Sequence, residues 1–390
     1  MELLRNLRNT SIFIVIILMF SFGCSSKYRL HREELPYESI WPFYRNDLSS
    51  TGSVARGHFS GKLNILWEYK SNDKPAGPLT IYDNTLIYPG TRNKIKFIDK
   101  HLGQFKGYIK PRGIPQSGVT VKDSLAYFAV GPPKNMLKCI NLLKGKVIWK
   151  KPLKDATWGS IIINNRLIVS SGEGLLTAFN LINGKQIWSF KTEGKLSTPP
   201  TCGDDRIFQP ADKNILYAVS VVGGKEIFKV SLDNPLVGAV VFNNLVFVCD
   251  MGGNIYSLSP DSGSVIWKRK LPYPIWTSPA FAEGRLYIGD NGGEVVAINT
   301  SDGTIIWRYD AVNVIHSSVV VVGKYVLFGT MTGDFYSLDA SDGSLVEKRH
   351  LKGVLIQSPV SDGERVYVAT EKGMIICFGD KDVSNHRPID

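Results

Sequence analysis

From residue 63 onward the chain alternates short runs of apolar and polar positions with period two, which is the pattern of half-buried strands. Leu286/Ile288 and Val295/Ala297 are examples, and the strands they imply are Ser278–Ala282, Arg285–Gly289, Glu294–Asn299 and Thr304–Tyr309. Gly284, Asn291-Gly292-Gly293 and Asp302-Gly303 punctuate them. No segment after the N-terminal apolar run shows the 3.6-residue period of an amphipathic helix.

The four-strand unit recurs. Leu142-Leu143-Lys144-Gly145-Lys146-Val147-Ile148-Trp149 reappears as Leu181-Ile182-Asn183-Gly184-Lys185-Gln186-Ile187-Trp188 and again, more loosely, before Trp267 and Trp307. The turn glycines Gly103, Gly145, Gly184, Gly224, Gly263, Gly303 and Gly343 are 42, 39, 40, 39, 40 and 40 residues apart. Four residues before each glycine stands Asp, Asn or Ser, whose side chain can bond the local backbone and set the turn. Four residues after stand Trp149, Trp188, Phe228, Trp267 and Trp307, with Gly107 and Glu347 breaking the series. Four strands per 40 residues, repeated, predict an all-β fold, a β-propeller with four antiparallel strands per blade. The recurrent tryptophan reads as packing between blades.

Seven blades carry a turn glycine, and an eighth runs from Gln357 to Phe378 without an outer strand. The orphan Leu63-Asn64-Ile65-Leu66-Trp67-Glu68-Tyr69 supplies one. Eight blades are therefore expected over residues 61–382, the last closed by this N-terminal strand, with residues 383–390 as a tail.

At the N-terminus Arg5 and Arg8 precede the nine apolar residues Ile12–Phe20. That run is short of the roughly 20 residues of a membrane span and fits an export signal. Gly23-Cys24 follows it and resembles the bacterial lipobox, although Ser21 and Phe22 depart from the usual residues. Residues 1–23 are then a lipoprotein signal peptide, Cys24 the lipidated residue, and 24–60 a polar tether and lead-in. Ser25, where an aspartate would imply inner-membrane retention, implies the outer membrane.

Composition adds less. The chain has 390 residues, 43% of them hydrophobic, which excludes a disordered chain. Its net charge of +11 reads as scattered surface lysine, with no basic run interleaved with aromatics and no nucleic-acid partner expected. Cys139, Cys202, Cys249 and Cys377 form no metal-ligand spacing and fall in separate blades, so free buried thiols are expected.

The blade signature, as in Ala297-Ile298-Asn299 through Gly303 to Trp307, resembles that of the pyrroloquinoline-quinone-like β-propeller family. Trp41-Pro42-Phe43-Tyr44-Arg45-Asn46-Asp47 with Thr51-Gly52 resembles the lead-in of its bacterial members. The family includes quinoprotein dehydrogenases, sensor domains and BamB-type outer-membrane assembly lipoproteins. Repeat phasing puts Gly77, Gln116, Trp158, Thr198, Leu236, Thr277, His316 and Gln357 around the channel. Gln116, Trp158, Thr198, Thr277, His316 and Gln357 are the candidate lining residues. This ring has no carboxylate to hold Ca²⁺ beside a quinone or to act as base, so no catalytic, cofactor or metal residue is assigned. The resemblance implies a non-enzymatic protein-binding scaffold. It would be lipid-anchored in the outer membrane, face the periplasm and partner the β-barrel assembly machine. The alternatives are a quinoprotein oxidoreductase, or a propeller lipoprotein with another partner or ligand.

Overall fold

The computed structural model describes residues 41–42, 45–55 and 57–381; Cys24 and the signal segment lie outside them. Within them the chain forms eight sheets, each of four antiparallel strands, one of them with a short parallel strand added, and no α-helix. Seven sheets follow the chain, from blade 1 (Thr80–Tyr82, Thr85–Gly90, Lys94–Asp99, Phe105–Ile109) to blade 7 (Val320–Val322, Tyr325–Gly329, Asp334–Asp339, Leu345–His350). Blade 8 takes Val360–Ser361, Arg365–Ala369 and Met374–Gly379 from the C-terminal end and Ile65–Lys70 from the N-terminal end. Trp67 pairs with Cys377 in this antiparallel closure, as the orphan strand predicted. The sixth blade runs Ala280–Ala282, Arg285–Gly289, Glu294–Asn299 and Ile305–Asp310, close to the predicted spans.

The hydrophobic core lies between blades. Each buried apolar cluster straddles a junction: Tyr127, Trp149, Val169 and Phe179 join blades 2 and 3, and Tyr287, Trp307, Phe328 and Leu338 join blades 6 and 7. The repeat motif explains how. Each tryptophan of an outer strand lays its ring on the turn glycine of the next blade. A Cβ on Gly184 would come within 2.5 Å of Trp149, on Gly224 within 2.5 Å of Trp188, and on Gly343 within 2.6 Å of Trp307. The glycines also hold positive φ, from 65° to 78° at these three positions, so both the turn and the neighbour require them. Each indole N–H donates to a carbonyl of that same next blade: Trp149 to Leu181 at 2.8 Å, Trp188 to Val221 at 3.0 Å, Trp307 to Ala340 at 3.0 Å. Trp67 does this across the ring closure, over Gly103 and onto the Lys100 carbonyl at 3.0 Å. Where Glu347 replaces the aromatic, its carboxylate accepts the Leu63 N–H at 2.8 Å, which ties the incoming strand to blade 7. The polar residue before each glycine behaves as expected, Asn180 Oδ1 accepting from the amides of Ile182 and Asn183. The four cysteines are buried and free.

The stretch expected to be tether and lead-in does more than lead in. From Trp41 onward it winds around the ring on the innermost strands. The amides of Ile81, Val121, Cys202, Val241, Phe281 and Val321 hold equivalent places in blades 1, 2, 4, 5, 6 and 7. They donate in turn to the carbonyls of Trp41, Pro42, Leu48, Ser49, Thr51 and Gly52, at 2.7–3.1 Å. Ser53–Val54 then pairs in parallel with Val321–Val322, and the Phe59 amide reaches the Gly363 carbonyl of blade 8 at 3.1 Å. An innermost strand is an edge strand with unpaired amides, and this one segment pairs six of them.

Its motif residues hold it in shape. Arg45 is buried, and its guanidinium donates to the carbonyls of Val319 at 2.7 Å and Pro279 at 2.6 Å, on blades 7 and 6. Gly52 has φ of 60°, and a Cβ there would sit 2.2 Å from that guanidinium. The Asp47 carboxylate accepts from the amide and hydroxyl of Thr51, closing the loop between them.

Trp67→Ala is expected to lower unfolding free energy by about 3 kcal/mol, the low end for loss of a large aromatic because Trp67 is only half-buried. Trp67→Phe keeps a ring over Gly103 but loses the indole bond and should cost about 1 kcal/mol. Urea denaturation of both variants checks this; an unchanged midpoint for Trp67→Ala would mean the closure is held elsewhere.

Candidate functional site

The lead-in occupies the channel end where the innermost strands finish. The predicted ring lies at their beginning: Thr277 precedes Phe281 by four residues, about 13 Å along an extended strand. The lead-in thus lines the strand edges near one mouth, and the predicted ring lies at the other. Loops that bring the chain from each outer strand to the next innermost strand form this second mouth, together with the turns between the two middle strands of each blade.

The ring residues do not share one environment. Thr277 is buried, and its hydroxyl donates to the Gly289 carbonyl at 2.9 Å, within its own sheet. Gln357 is buried as well, and Leu236 and Gly77 offer no polar side chain. Thr198 is half-buried with a hydroxyl that no protein group bonds. Gln116 is half-buried and lines a cavity of about 390 Å³ between blades 1, 2 and 3, opposite Asp155 and beside Thr91 and Ile114. His316 is half-buried against the ring of Trp276, with centroids 4.9 Å apart. Burial holds the imidazole below its ordinary range, so it is neutral at pH 7. The side chain of Trp158, in the strand Ala156–Ile163, lies outside the described ones. Phasing therefore places the ring at one mouth but does not make it one constellation.

Two buried carboxylates near this mouth serve the turns. Asp250 is fully buried and accepts from the amides of Gly252 and Asn254 and from the side chains of Asn234, Asn254 and Tyr256. Asp290 is equally buried; one oxygen accepts from the amides of Gly292 and Glu294, and desolvation raises its pKa. Among the described residues no three His, Cys, Asp or Glu side chains gather where they could hold a metal. A Ca²⁺-bound quinone needs oxygen donors that normally include a carboxylate. The ring offers amides, hydroxyls and an imidazole but no carboxylate, and no acidic cluster stands among the described residues, so the ring does not fit that group.

What repeat phasing missed is an apolar sector on the same mouth. Tyr273, Trp276, Val312, Val314, Met331 and Ile356 are exposed on the loops of blades 5 to 8, with Val312 at 79% and Trp276 at 51%. The Tyr273 ring lies over the turn of the next blade, where a Cβ on Gly292 would be 2.1 Å from it. These residues fall in the loops between the repeat's strands, and Trp276 and Ile356 hold the same repeat position two periods apart. The sequence signal for them is aromatic and β-branched residues in loops that are otherwise polar.

Comparison with known proteins fits this architecture. The family model described as outer membrane protein assembly factor BamB matches residues 133–234 and 213–380. The chain belongs to that family. Over 174 residues it is 23% identical to the outer membrane protein assembly factor BamB of Salmonella typhimurium, covering 41% of this chain and 44% of that protein. Over 181 residues it is 24% identical to a tetrathionate hydrolase of Acidithiobacillus ferrooxidans, covering 37% of this chain and 36% of the enzyme. Over 95 residues it is 30% identical to the quinoprotein alcohol dehydrogenase PedH of Pseudomonas putida, covering 22% of this chain and 16% of the enzyme. The matched part is less than half of each relative. In structure the chain resembles BamB from Moraxella catarrhalis, with a TM-score of 0.70, 14% identity, and coverage of 82% of this chain and all of that one. This last likeness concerns the fold.

Removing the ring that buries His316 should raise its pKa. In an NMR titration the imidazole is expected to titrate below the usual 6.5, and in Trp276→Ala to move up toward it. A wild-type value at or above 6.5 would contradict the burial.

Proposed function

We propose that this protein is a non-enzymatic scaffold lipoprotein that binds other proteins at the open mouth of its propeller and assists outer-membrane β-barrel assembly. Residues 1–23 are the export leader, Cys24 carries the lipid, 24–60 are tether and lead-in, 61–382 the propeller and 383–390 a tail. The anchor holds the ring at the periplasmic side of the outer membrane.

The observation that carries this reading is the exposed sector of Tyr273, Trp276, Val312, Val314, Met331 and Ile356. Clustered exposed aromatic and aliphatic groups on a rigid surface are the chemistry of protein interfaces, where a few such anchors supply most of the binding energy. Membership of the family supports a protein partner in outer-membrane assembly. The quinoprotein relative favours a second reading, a quinoprotein oxidoreductase. Dye-linked oxidation of alcohols or sugars after incubation with quinone and Ca²⁺ is the test of that one.

Crosslinking in intact cells separates the two. The wild type is expected to recover subunits of the assembly machine, and Trp276→Asp with Val312→Asp to reduce recovery at least tenfold at an unchanged melting temperature. Recovery of no such subunit from the wild type, with outer-membrane protein levels normal after deletion, would remove the assembly role.

A further inference from the structure

The positive charge of this protein is not scattered, as its sequence first suggests. Residues 92–154 hold fifteen Lys and Arg against only Asp99 and Asp123, a net of +13. The whole chain is +11, so everything outside this stretch sums to −2. The fold turns the stretch into one sector, the outer half of blade 1 and all of blade 2. Lys110, Arg112, Lys134, Lys144, Lys146 and Lys150 are exposed there, and none of them pairs with an acid among the described residues. Lys150 stands directly across the strand pair from Lys138. Such a like-charge pair opposes folding. Burial, then Lys150, Arg112 and Lys134, push the Lys138 ammonium below its ordinary range, which shows how close these cations lie.

The same rim carries aliphatic and aromatic groups among the cations. Leu102, Phe105, Val147 and Ile148 are all exposed, at 64%, 45%, 56% and 46%. A second observation concerns the chain's path. The lead-in enters the ring at Trp41 and Pro42, bonded to blades 1 and 2. The described residues thus begin on the two blades that carry the basic sector.

We propose that the rim of blades 1 and 2 is a docking surface for an anionic lipid bilayer. Its lysines and arginines meet headgroup phosphates, and Leu102, Phe105, Val147 and Ile148 enter the interfacial layer. Cations near an anionic surface are attracted within a Debye length, and apolar side chains between them add partition into the lipid boundary. Nucleic acid, the other large polyanion, is bound through stacking on aromatic platforms, whereas three of the four exposed apolar groups here are aliphatic. The proposal rests on the anchored-lipoprotein reading only for the presence of a membrane beside the ring. Docking would lay the rim against the membrane and leave the apolar mouth free for a protein partner.

The test uses the chain from Ser25 onward, unlipidated, since residues 41–381 close the ring by themselves. Co-sedimentation is measured with vesicles of phosphatidylcholine alone and with 30% phosphatidylglycerol, at roughly 50 and 500 mM salt. Binding is expected only to the anionic vesicles and to fade at the higher salt. Lys144→Glu with Lys146→Glu and Lys150→Glu should weaken it about a hundredfold. The melting temperature should hold or rise, because Lys150→Glu turns a repulsive pair into an attractive one. A remote set, Lys185→Glu with Lys195→Glu and Lys225→Glu, should bind as the wild type does. Equal binding to both vesicle types, equal loss in the two variant sets, or retention on heparin without vesicle binding would each overturn the proposal. Because no assembly subunit and no acyl chain is present, failure here leaves the scaffold reading intact.

Discussion

One contact holds this ring: an aromatic ring of one blade lying on the turn glycine of the next. It joins a packing requirement to a backbone requirement. The glycine must be there because the turn needs positive φ and because a Cβ would strike the neighbour's indole. The indole N–H bond to the same neighbour fixes the angle at which successive sheets meet. A blade alone exposes both apolar faces, and the contact recurs at six of the eight junctions, with Gly107 and Glu347 in the aromatic's place at the other two; Trp67 makes the closing instance from the first blade strand in the chain.

The lead-in is a second hoop inside the first. Its carbonyls take the amides that six innermost strands leave free, and Arg45 crosses to two further carbonyls. This has a functional consequence. It covers the inner strand edges near one mouth, which leaves the other mouth and the rim as the uncovered surfaces. The two surfaces left for work differ in chemistry. The open mouth of blades 5 to 8 is apolar, and the rim of blades 1 and 2 is basic. They lie in different sectors of the ring, as a protein that binds a membrane and a partner at once requires.

Much of the fold was legible in the sequence because a repeat states its rule many times. Blade number, strand order, turn chemistry and the closing role of Trp67 all follow from a 40-residue period. The site was less legible, for the same reason. Thr277 turns its hydroxyl into its own sheet, which phasing alone does not reveal. Tyr273 and Trp276 sit in loops whose exposure the period does not report. The lead-in's partners run from Ile81 to Gly363 and are spread over seven of the eight blades, so no local pattern announces them. The basic sector was hidden by the absence of any contiguous run. Its lysines come together only because a blade folds four strands onto one rim.

The account depends most on the lead-in acting as a hoop, and native-state hydrogen exchange tests that directly. The amides of Ile81, Val121, Cys202, Val241, Phe281 and Val321 should be strongly protected in the wild type, although each lies on a sheet edge. In Arg45→Ala all six should lose protection together, by about tenfold or more, because one segment covers them. Fast exchange in the wild type, or loss confined to blades 6 and 7 where Arg45 bonds, would contradict it.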